Sequence, residues 1–357
     1  MGRIIIPYIF LIAFRKRLFD SIDVRKKHSG IIPRLGGVVF FPIQCYLLIL
    51  SFFCVYKFGL ASLCSNVYVV LPQFLLLICG LILLFTIGIA DDLIGVNYRW
   101  KFVTQVIAAS LFPISNLWIN DLYGLLGVTT LPAWFGMPLT VFIVVFIINA
   151  VNLMDGIDGL CSGMIAIGCL FLGSLFIYNN AWLHAFLAFI TTGILLPFFY
   201  YNVFGRSKGK RRIFMGDTGS LTLGLSISFL VISYAMSDTY IKPFSSDAII
   251  VAFATLVVPM FDVIRVIFVR IKSHKSPFLP DRNHIHHKLM RLGISHHVTM
   301  ILILLMVSFF CLLNIISVKY MDSNIVFLLD LSIWIIFNLC LDKIEEVKLI
   351  KMNKQKI

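Results

Sequence analysis

Charged residues are scarce in this sequence. Asp, Glu, Lys and Arg make up only 13% of the 357 residues, whereas 60% are hydrophobic and the mean hydropathy is +0.97. A water-soluble protein usually carries about twice that share of charge. This scarcity excludes a soluble globular fold. The net charge of +13 is no sign of nucleic-acid binding, because the basic residues lie between the apolar runs.

The sequence also lacks paired cysteines and internal repeats. Its eight cysteines form no CxxC pair and mostly lie in apolar runs, which predicts buried thiols rather than disulfides or a metal site. A cleavable signal peptide is not expected, because Arg15, Lys16 and Arg17 directly follow the first apolar run without a small-residue cleavage site.

Long apolar runs are what the sequence has in abundance, many of them near the roughly 20 residues that a membrane-spanning helix needs. The candidate spans are 2–14, 36–56, 68–90, 102–119, 139–149, 160–178, 182–201, 218–236, 248–269, 299–318 and 324–341. We therefore predict an all-α polytopic membrane protein with about 11 transmembrane helices, or about 10 if the short first run crosses only in part. Residues 1–341 would form one transmembrane domain, and 342–357 a basic tail.

Lys and Arg are concentrated in alternate connections between these runs. Of the 30 basic residues, 25 lie in 15–35, 91–101, 202–217, 270–298 and 342–357. Because short cytoplasmic loops are enriched in Lys and Arg, the asymmetry predicts an external N-terminus and a cytoplasmic C-terminus.

Five polar segments fall on that predicted cytoplasmic side. They read RKKHSGIIPRLGG before the second span, ADDLIGVNYRWKF after the third, NAVNLMDGIDGL after the fifth, FMGDTGSLTLG at the eighth and PDRNHIHHKLMRLG before the tenth. The external connections contain nothing comparable. The distribution predicts an active site at the cytoplasmic face.

Four amide and carboxylate residues recur at every third position between the fifth and sixth spans, namely Asn149, Asn152, Asp155 and Asp158. Each step of three falls about 60° short of a full helical turn, so the four cannot share one face of a straight helix. Gly156 and Gly159 permit a break that would turn the later carboxylates into a common cavity. An ordinary polar turn is the alternative.

Asp217 stands between two glycines just before the eighth span. The backbone N–H groups of Gly219 and Ser220 at that helix start would suit a phosphate. A carboxylate there would repel phosphate unless a cation lay between them, and oxygen ligands with phosphate are what Mg²⁺ prefers. A simple N-cap role for Asp217 is the alternative.

Two further clusters carry charge at the membrane edge. Asp91 and Asp92 end an apolar run, where they need a nearby cation such as Arg99 or Lys101, unless they merely end the span. The histidine cluster, His284, His286 and His287, lies beside Arg282 and Lys288 and suits an anionic ligand. Zinc is the alternative for this cluster, although no cysteine or HExxH pattern supports it.

In this order the motifs resemble the polyprenyl-phosphate N-acetylhexosamine-1-phosphate transferases, a family that includes the peptidoglycan lipid-I synthase. The matching residues are Asp91-Asp92 with Lys101, the block from Asn149 to Asp158, Gly216 to Ser220, and His284 to His287. The resemblance covers about 20 to 295. The RKKHSGIIPRLGG segment and the HxHH pattern are similar to the branch of glycosyltransferase family 4 that starts O-antigen or teichoic acid chains.

The resemblance implies transfer of a sugar-1-phosphate from a UDP-sugar to undecaprenyl phosphate in the bacterial inner membrane, with release of UMP. N-acetylglucosamine is the first expectation for the sugar, although GalNAc, QuiNAc or FucNAc would leave the same motifs. The product would begin a cell-surface polysaccharide of the O-antigen, capsule or teichoic-acid type. The implied cofactor is Mg²⁺, with Mn²⁺ as a substitute. A homodimer is left open, and no nucleic-acid partner is expected.

The resemblance also implies roles for individual residues. Asp217 and Asn152 are expected to bind the metal. The expected catalytic residues are Asp91 and Asp92, on the acceptor phosphate, and Asp155 and Asp158. The expected substrate-binding residues are Lys101, Asn149, Gly219, Ser220, Arg282, His284, His286 and His287. Asp262 and Arg265, one turn apart in the ninth span, form either a structural ion pair or a contact to lipid phosphate.

Two other classes of membrane protein are alternatives to this transferase. A transporter or flippase would place its polar site near the membrane midplane between repeats, and the sequence has neither feature. A CDP-alcohol phosphotransferase would need an Arg after its acidic motif, and DGIDGLCSG contains none. Both alternatives fit the sequence less well than the transferase.

Overall fold

The computed structural model describes Tyr8 and residues 35–59, 67–205, 213–274 and 283–354. Within these residues the chain is helical, and its only strand-like pairing is an isolated bridge between Asp121 and Thr130. Nine of the described helical segments are long and apolar enough to cross a membrane. The prediction of an all-α polytopic membrane protein is confirmed. The predicted first span, 2–14, lies outside the described residues except for Tyr8.

The helices are numbered here in chain order. The first six are α1 (Phe40–Lys57), α2 (Val67–Ile94), α3 (Tyr98–Ile114), α4 (Ala133–Met154), α5 (Leu160–Tyr178) and α6 (Trp182–Phe204). The next six are α7 (Gly216–Ala235), α8 (Ala248–Phe253), α9 (Val257–Lys272), α10 (Ile285–Arg291), α11 (His296–Ser317) and α12 (Ser323–Lys354). Short 3₁₀ turns precede α1 (Leu35–Val39) and join α8 to α9 (Ala254–Leu256).

Most of the predicted spans match these helices. The fourth, 102–119, ends at Ile114 instead, and its helix, α3, is not among the nine segments long and apolar enough to cross a membrane. The other differences lie at polar ends. The run 139–149 is part of a longer helix, α4, which continues to Met154. Helix α3 begins before the predicted residue 102, because the Asn97 side chain accepts a hydrogen bond from Arg99 N and caps it. Helix α12 continues without a break beyond 341 to Lys354, so the described part of the predicted tail, 342–354, extends the last spanning helix.

Helix α7 lies at the centre of the bundle and is buried along its whole length from Thr218 to Ala235. Its sequence is rich in Gly, Ser and Thr, which lets neighbouring helices approach closely. A Cβ on Gly224 would lie 2.9 Å from Ile148 Cα of α4. Several of its hydroxyls donate to the preceding turn of the helix, as when Thr222 donates to the carbonyl of Thr218 at 2.7 Å. Such a helix is stable only when protein surrounds it.

Alternating helix directions bring the polar segments to one end of this bundle. The ends of α2, α4, α6 and α9 and the starts of α3, α5 and α7 meet there, together with α10. The Leu35–Val39 turn joins them, because Gly36 N and Gly37 N donate to the carbonyls of Phe214 and Met215 at 2.9 and 2.8 Å. The predicted convergence of the polar segments is therefore observed for their described parts.

Candidate active site

Lys101 links two carboxylates that come from different helices. Its Nζ lies 3.1 Å from Asp91 Oδ2 of α2 and 2.7 Å from Asp217 Oδ2 of α7. The three side chains are between 16% and 26% exposed, so water and small ligands can reach them. The cation expected beside the acid pair is thus Lys101, whereas Arg99 lies over the Tyr98 ring.

Asp92, the second acid of the pair, lies at the start of α7. Asp92 accepts hydrogen bonds from Asp217 N at 2.8 Å, from Thr218 N at 3.0 Å and from Thr218 Oγ1 at 2.6 Å. A carboxylate at a helix N-terminus satisfies its free N–H groups and is favoured by the helix dipole. Asp92 therefore caps α7 from a neighbouring helix. The alternative that Asp217 caps this helix is wrong, because α7 begins at Gly216 with Asp217 already in its first turn.

The close approach of α2 to α7 depends on a glycine. A Cβ on Gly88 would lie 2.5 Å from Thr218 Cα, so any side chain there would push the two backbones apart. Gly88 lies one helical turn before Asp91 and Asp92. The missing side chain therefore lets both acids reach the start of α7.

The amides of α4 bind neighbouring helices. Asn149 Nδ2 donates to Gln105 Oε1 of α3 at 2.7 Å, and Asn152 Oδ1 accepts from Ser220 Oγ of α7 at 2.9 Å. Ser220 is fully buried, and Gly219 packs against Gly37. The structure thus places these predicted substrate-binding residues in contacts between helices. The Asn152 contact lies about one turn along α7 from Asp217, the other expected metal ligand.

The chain turns sharply between α4 and α5, as the glycines predicted. Gly159 has a left-handed φ of 79° at the start of α5. Asn202 of α6 holds this turn: its Oδ1 accepts from Gly159 N, and its Nδ2 donates to Asp158 Oδ1 at 3.4 Å. Its Nδ2 also donates to Ile213 O at 2.9 Å, which connects the turn to the segment before α7. Asn202 is a positioning residue that the sequence did not reveal, because nothing in its immediate neighbourhood marks it.

A buried carboxylate anchors the histidine segment. Asp262 Oδ2 lies 2.8 Å from His284 Nδ1, and Asp262 Oδ1 accepts from Ile285 N at 3.0 Å and from Arg265 Nη2 at 2.7 Å. Arg265 also donates to the carbonyl of Asn283. Two roles were predicted for Asp262 and Arg265, a structural ion pair or a contact to lipid phosphate. The structure shows the ion pair. It serves to hold the loop that begins α10.

His286 approaches the turn between α4 and α5. A Cβ on Gly156 would overlap the imidazole of His286, so the glycine makes room for this ring. Burial, followed by the neighbouring histidines, lowers the pKa of His286 to about 3, which makes the ring neutral at physiological pH. His284 Nε2 and His286 Nδ1 are buried and have no hydrogen-bond partner among the described residues. A buried nitrogen without a partner is unfavourable, so a polar ligand or a water at either position would stabilise it.

One basic residue expected beside the histidine cluster lies elsewhere. Lys288 is buried and turned toward α12, where its Nζ lies 2.6 Å from Asp342 Oδ1. It therefore does not join the histidines on the side of Gly156. Arg282 lies outside the described residues, so its predicted role stays a prediction. The ring of His287 lies 4.2 Å from that of His286.

The donor set fits magnesium. Asp91 and Asp217 offer carboxylate oxygens, Asn152 offers an amide oxygen, and the two carboxylates already accommodate a cation in the form of the Lys101 ammonium. Among the described residues no group of three or more His, Cys, Asp or Glu could hold a metal ion unaided. This does not support zinc at the histidines. It is compatible with Mg²⁺, which usually binds one or two carboxylates and completes its shell with water and substrate phosphates.

Comparisons with known proteins identify the family of this chain. Residues 74–235 match the family model described as Glycosyl transferase family 4. The undecaprenyl-phosphate alpha-N-acetylglucosaminyl 1-phosphate transferase of Salmonella typhi is 30% identical over 305 residues, which covers 84% of this chain and 77% of that protein. The corresponding enzyme of Escherichia coli (strain K12) is 26% identical over 358 residues, covering 97% and 90%.

A third relative is similar along most of its length. The probable undecaprenyl-phosphate N-acetylglucosaminyl 1-phosphate transferase of Bacillus subtilis (strain 168) is 30% identical over 341 residues. The alignment covers 93% of this chain and 87% of that protein. The similarity therefore extends well beyond the polar motifs and includes most of the spanning helices.

Proposed function

Because this chain belongs to glycosyl transferase family 4, we propose that it is a membrane enzyme that transfers N-acetylglucosamine-1-phosphate from UDP-N-acetylglucosamine to undecaprenyl phosphate. The products are undecaprenyl-diphosphate-N-acetylglucosamine and UMP. The names of the relatives support the sugar phosphate and the lipid acceptor. The UDP donor rests on the motifs and on the chemistry of the site.

The observation that carries the proposal is the meeting of Asp91, Lys101 and Asp217, with Asn152 close by, at one end of a membrane-spanning bundle. A lipid phosphate reaches such a place from the bilayer, and a nucleotide sugar reaches it from water. Both substrates are polyanions, so a site that brings them together needs a cation between them. The oxygen donors and the ammonium found here meet that need.

The reaction requires little covalent help from the protein. An oxygen of undecaprenyl phosphate attacks the β-phosphorus of the donor, and the bond from that phosphorus to the bridging oxygen breaks. The bond electrons leave with UMP, so no oxidant or further reactant is needed. A phosphate monoester has its second pKa near 6 and is largely dianionic at neutral pH, so a strong general base is unnecessary. Positioning and electrostatic stabilisation are then the main contributions of the site.

Different side chains would provide the positioning and the electrostatic stabilisation. Asp217 and Asn152 would hold Mg²⁺, which neutralises charge on the diphosphate when it is bound. Lys101 holds Asp91 against Asp217 and presents an ammonium to incoming phosphate oxygens. Asp92 fixes the start of α7 and, through it, the position of Asp217.

The turn between α4 and α5 and the histidine segment lie against each other. We assign Asp155 and Asp158 to the nucleotide pocket, and His284, His286 and His287 to the diphosphate or sugar of the donor. The contact of His286 with Gly156 supports this pairing, because it brings the histidine segment to the turn that carries both carboxylates. We place the site at the cytoplasmic face of a bacterial inner membrane, where the product begins a cell-surface polysaccharide.

The test is a reconstitution with defined substrates. Purified protein in detergent is mixed with undecaprenyl phosphate, Mg²⁺ and each of several UDP-sugars, and UMP release is followed. We expect release that depends on the lipid and is fastest with UDP-N-acetylglucosamine. Faster release with a different UDP-sugar would change the donor, and absence of release with every donor would overturn the proposal.

A further inference from the structure

Helix α12 is longer than a membrane crossing requires. It has 32 residues, whereas roughly 20 suffice to span the hydrocarbon core. We call its last part, Asp342–Lys354, the α12 extension. The residues from Asp342 to Lys348 lie against α10, the short helix that carries His286 and His287.

Three contacts connect the α12 extension to α10. Lys288 Nζ lies 2.6 Å from Asp342 Oδ1, and Arg291 Nε lies 2.7 Å from Glu345 Oε1. Lys348 Nζ donates to the Arg291 carbonyl at 3.4 Å. The residues of the two ion pairs are three apart on both helices, so the second pair lies one helical turn from the first. The third contact returns to Arg291 from one turn further along α12. Such spacing fixes the register of the two helices.

The first of these contacts is protected from water on the α10 side. The Lys288 side chain is 3% exposed, and its Nζ also donates to the Asn338 carbonyl at 3.2 Å. A buried ammonium is costly unless it is paired. The α12 partners therefore hold Lys288 in this orientation and α10 with it.

Helix α12 also packs against α9, which carries Asp262, the carboxylate that anchors the histidine segment. The Trp334 ring of α12 packs edge-on against the Phe261 ring of α9, with centroids 6.3 Å apart. Phe261 precedes Asp262, the carboxylate that holds His284. Helix α12 thus supports both the residue that anchors His284 and the helix that carries His286.

Helix α10 needs such support. It has seven residues, and an isolated helix shorter than about 12 to 15 residues is marginal in water. We propose that the α12 extension is a positioning element for the donor-binding histidines, acting through the pairs Lys288–Asp342 and Arg291–Glu345. The proposal rests on the proposed function of these histidines. None of the four paired residues is proposed to touch substrate.

A charge-reversal cycle tests the proposal in the full-length protein. The variants are Arg291→Glu, Glu345→Arg and the double variant, with Glu346→Arg as the matched control because Glu346 is exposed on the same turn of α12. Each single reversal should raise the KM for UDP-N-acetylglucosamine about three- to tenfold, the range expected when an ion pair is replaced by repulsion. The KM for undecaprenyl phosphate should stay unchanged. The double variant should recover most of the donor affinity, and the control should match wild type.

Hydrogen exchange of the peptide 283–295 gives a readout independent of turnover. Exchange should increase in both single variants, return in the double variant and remain unchanged in Glu346→Arg. Unchanged donor KM and exchange in the single variants would overturn the positioning role, as would a double variant that shows both losses added together. A wild-type protein without UMP release would refute the proposed function instead, and the exchange data would still decide the contact between α10 and α12.

Discussion

Lys101 places one ammonium between the carboxylates of Asp91 and Asp217. Two carboxylates held this close repel each other strongly, and the ammonium offsets that repulsion. Two negative charges and one positive charge leave the trio with a net charge of −1. A site with this charge attracts a divalent cation without accumulating enough negative charge to exclude anionic substrates.

Substitutions of the two proposed ligands test the metal assignment. Asp217→Asn keeps the side-chain shape but removes the charge, so turnover should fall by about 10²- to 10³-fold, the scale for loss of a key electrostatic partner. Asn152→Ala removes a neutral oxygen ligand and should raise the Mg²⁺ concentration that gives half-maximal activity. Both effects are measured as UMP release in detergent while Mg²⁺ is titrated.

Asp92→Asn is the comparison for stability, because it removes the same charge from the cap of α7. It should lower the free energy of unfolding by about 1–3 kcal/mol through loss of acceptor capacity at buried N–H groups. Asp217→Asn should not share this destabilisation, and thermal unfolding in detergent compares the two. Normal turnover and normal Mg²⁺ dependence in Asp217→Asn and Asn152→Ala together would remove the basis for the metal assignment.

The neutrality of His286 leads to a pH prediction. With a pKa of about 3 in the folded protein, the ring stays uncharged between pH 6 and pH 8. His286→Ala should therefore raise the KM for UDP-N-acetylglucosamine by the same factor throughout that interval. A factor that shrinks as the pH rises through about 6.5 would instead show a cationic histidine. Loss of bound zinc from the variant, by elemental analysis, would favour the metal alternative.

The same pKa has a consequence for stability. A histidine whose pKa is lowered by folding stabilises the folded state above its unfolded value of about 6.5, and that contribution is lost as the pH falls from there toward 3. The thermal unfolding temperature of wild type should decrease over this acidic interval more than that of His286→Ala.

At the scale of helices, the start of α7 depends on how closely α2 approaches. Gly88→Ala would put a Cβ against Thr218 backbone and should reduce stability by about 1–3 kcal/mol, as overpacking usually does. Turnover should fall as well, because Asp91 would move away from Asp217. Apparent unfolding temperature and UMP release measure both effects.

Gly193→Ala of α6 is the control, because its added Cβ would meet no atom within 4 Å. It should leave turnover unchanged and stability equal or slightly higher, since Ala is a better helix former than Gly. Equal behaviour of the two alanine variants would mean that close packing at Gly88 does not set the position of the acids.

The extent of α4 shows what the sequence could and could not predict. The apolar pattern correctly predicted a helix here but ended it near 149, since amides in a membrane span look unfavourable. In the structure Asn149 pairs with Gln105 and Asn152 with Ser220, so these amides are satisfied by other helices and remain helical to Met154. Such partners lie 44 and 68 positions away in the chain, and local pattern contains no information about them.

The active site likewise combines features that the local sequence predicts with features that only packing determines. The acidic, glycine and histidine motifs were recognisable because each concentrates polar residues beside an apolar run. The contacts of Asp92 with α7, of Asn202 with the turn before α5, and of α10 with α12 arise only from packing. The sequence therefore predicted which segments meet and left open how each side chain is held.

At the scale of the whole molecule, membrane orientation is the main prediction still to be measured. In a cysteine-free background, Ser207→Cys should react with an impermeant thiol reagent only after the membrane of spheroplasts is opened. Val128→Cys, in the connection between α3 and α4, is the control and should react in intact spheroplasts. Labelling of the first variant in intact spheroplasts would invert the topology and move the site to the outer face.

The enclosure of α7 also bears on how the protein is made. Among the nine candidate spans it has the lowest hydropathy, 1.5, and it is the one whose spanning window is entirely buried. A segment rich in hydroxyls gains little from lipid when it leaves the translocon. Its packing partners α2, α4 and α5 precede it in the chain and α8 follows it, so the ribosome delivers α7 to a bilayer in which most of its surroundings are already present. Because of this order of synthesis, the least apolar of the nine candidate spans enters the membrane beside helices that it packs against.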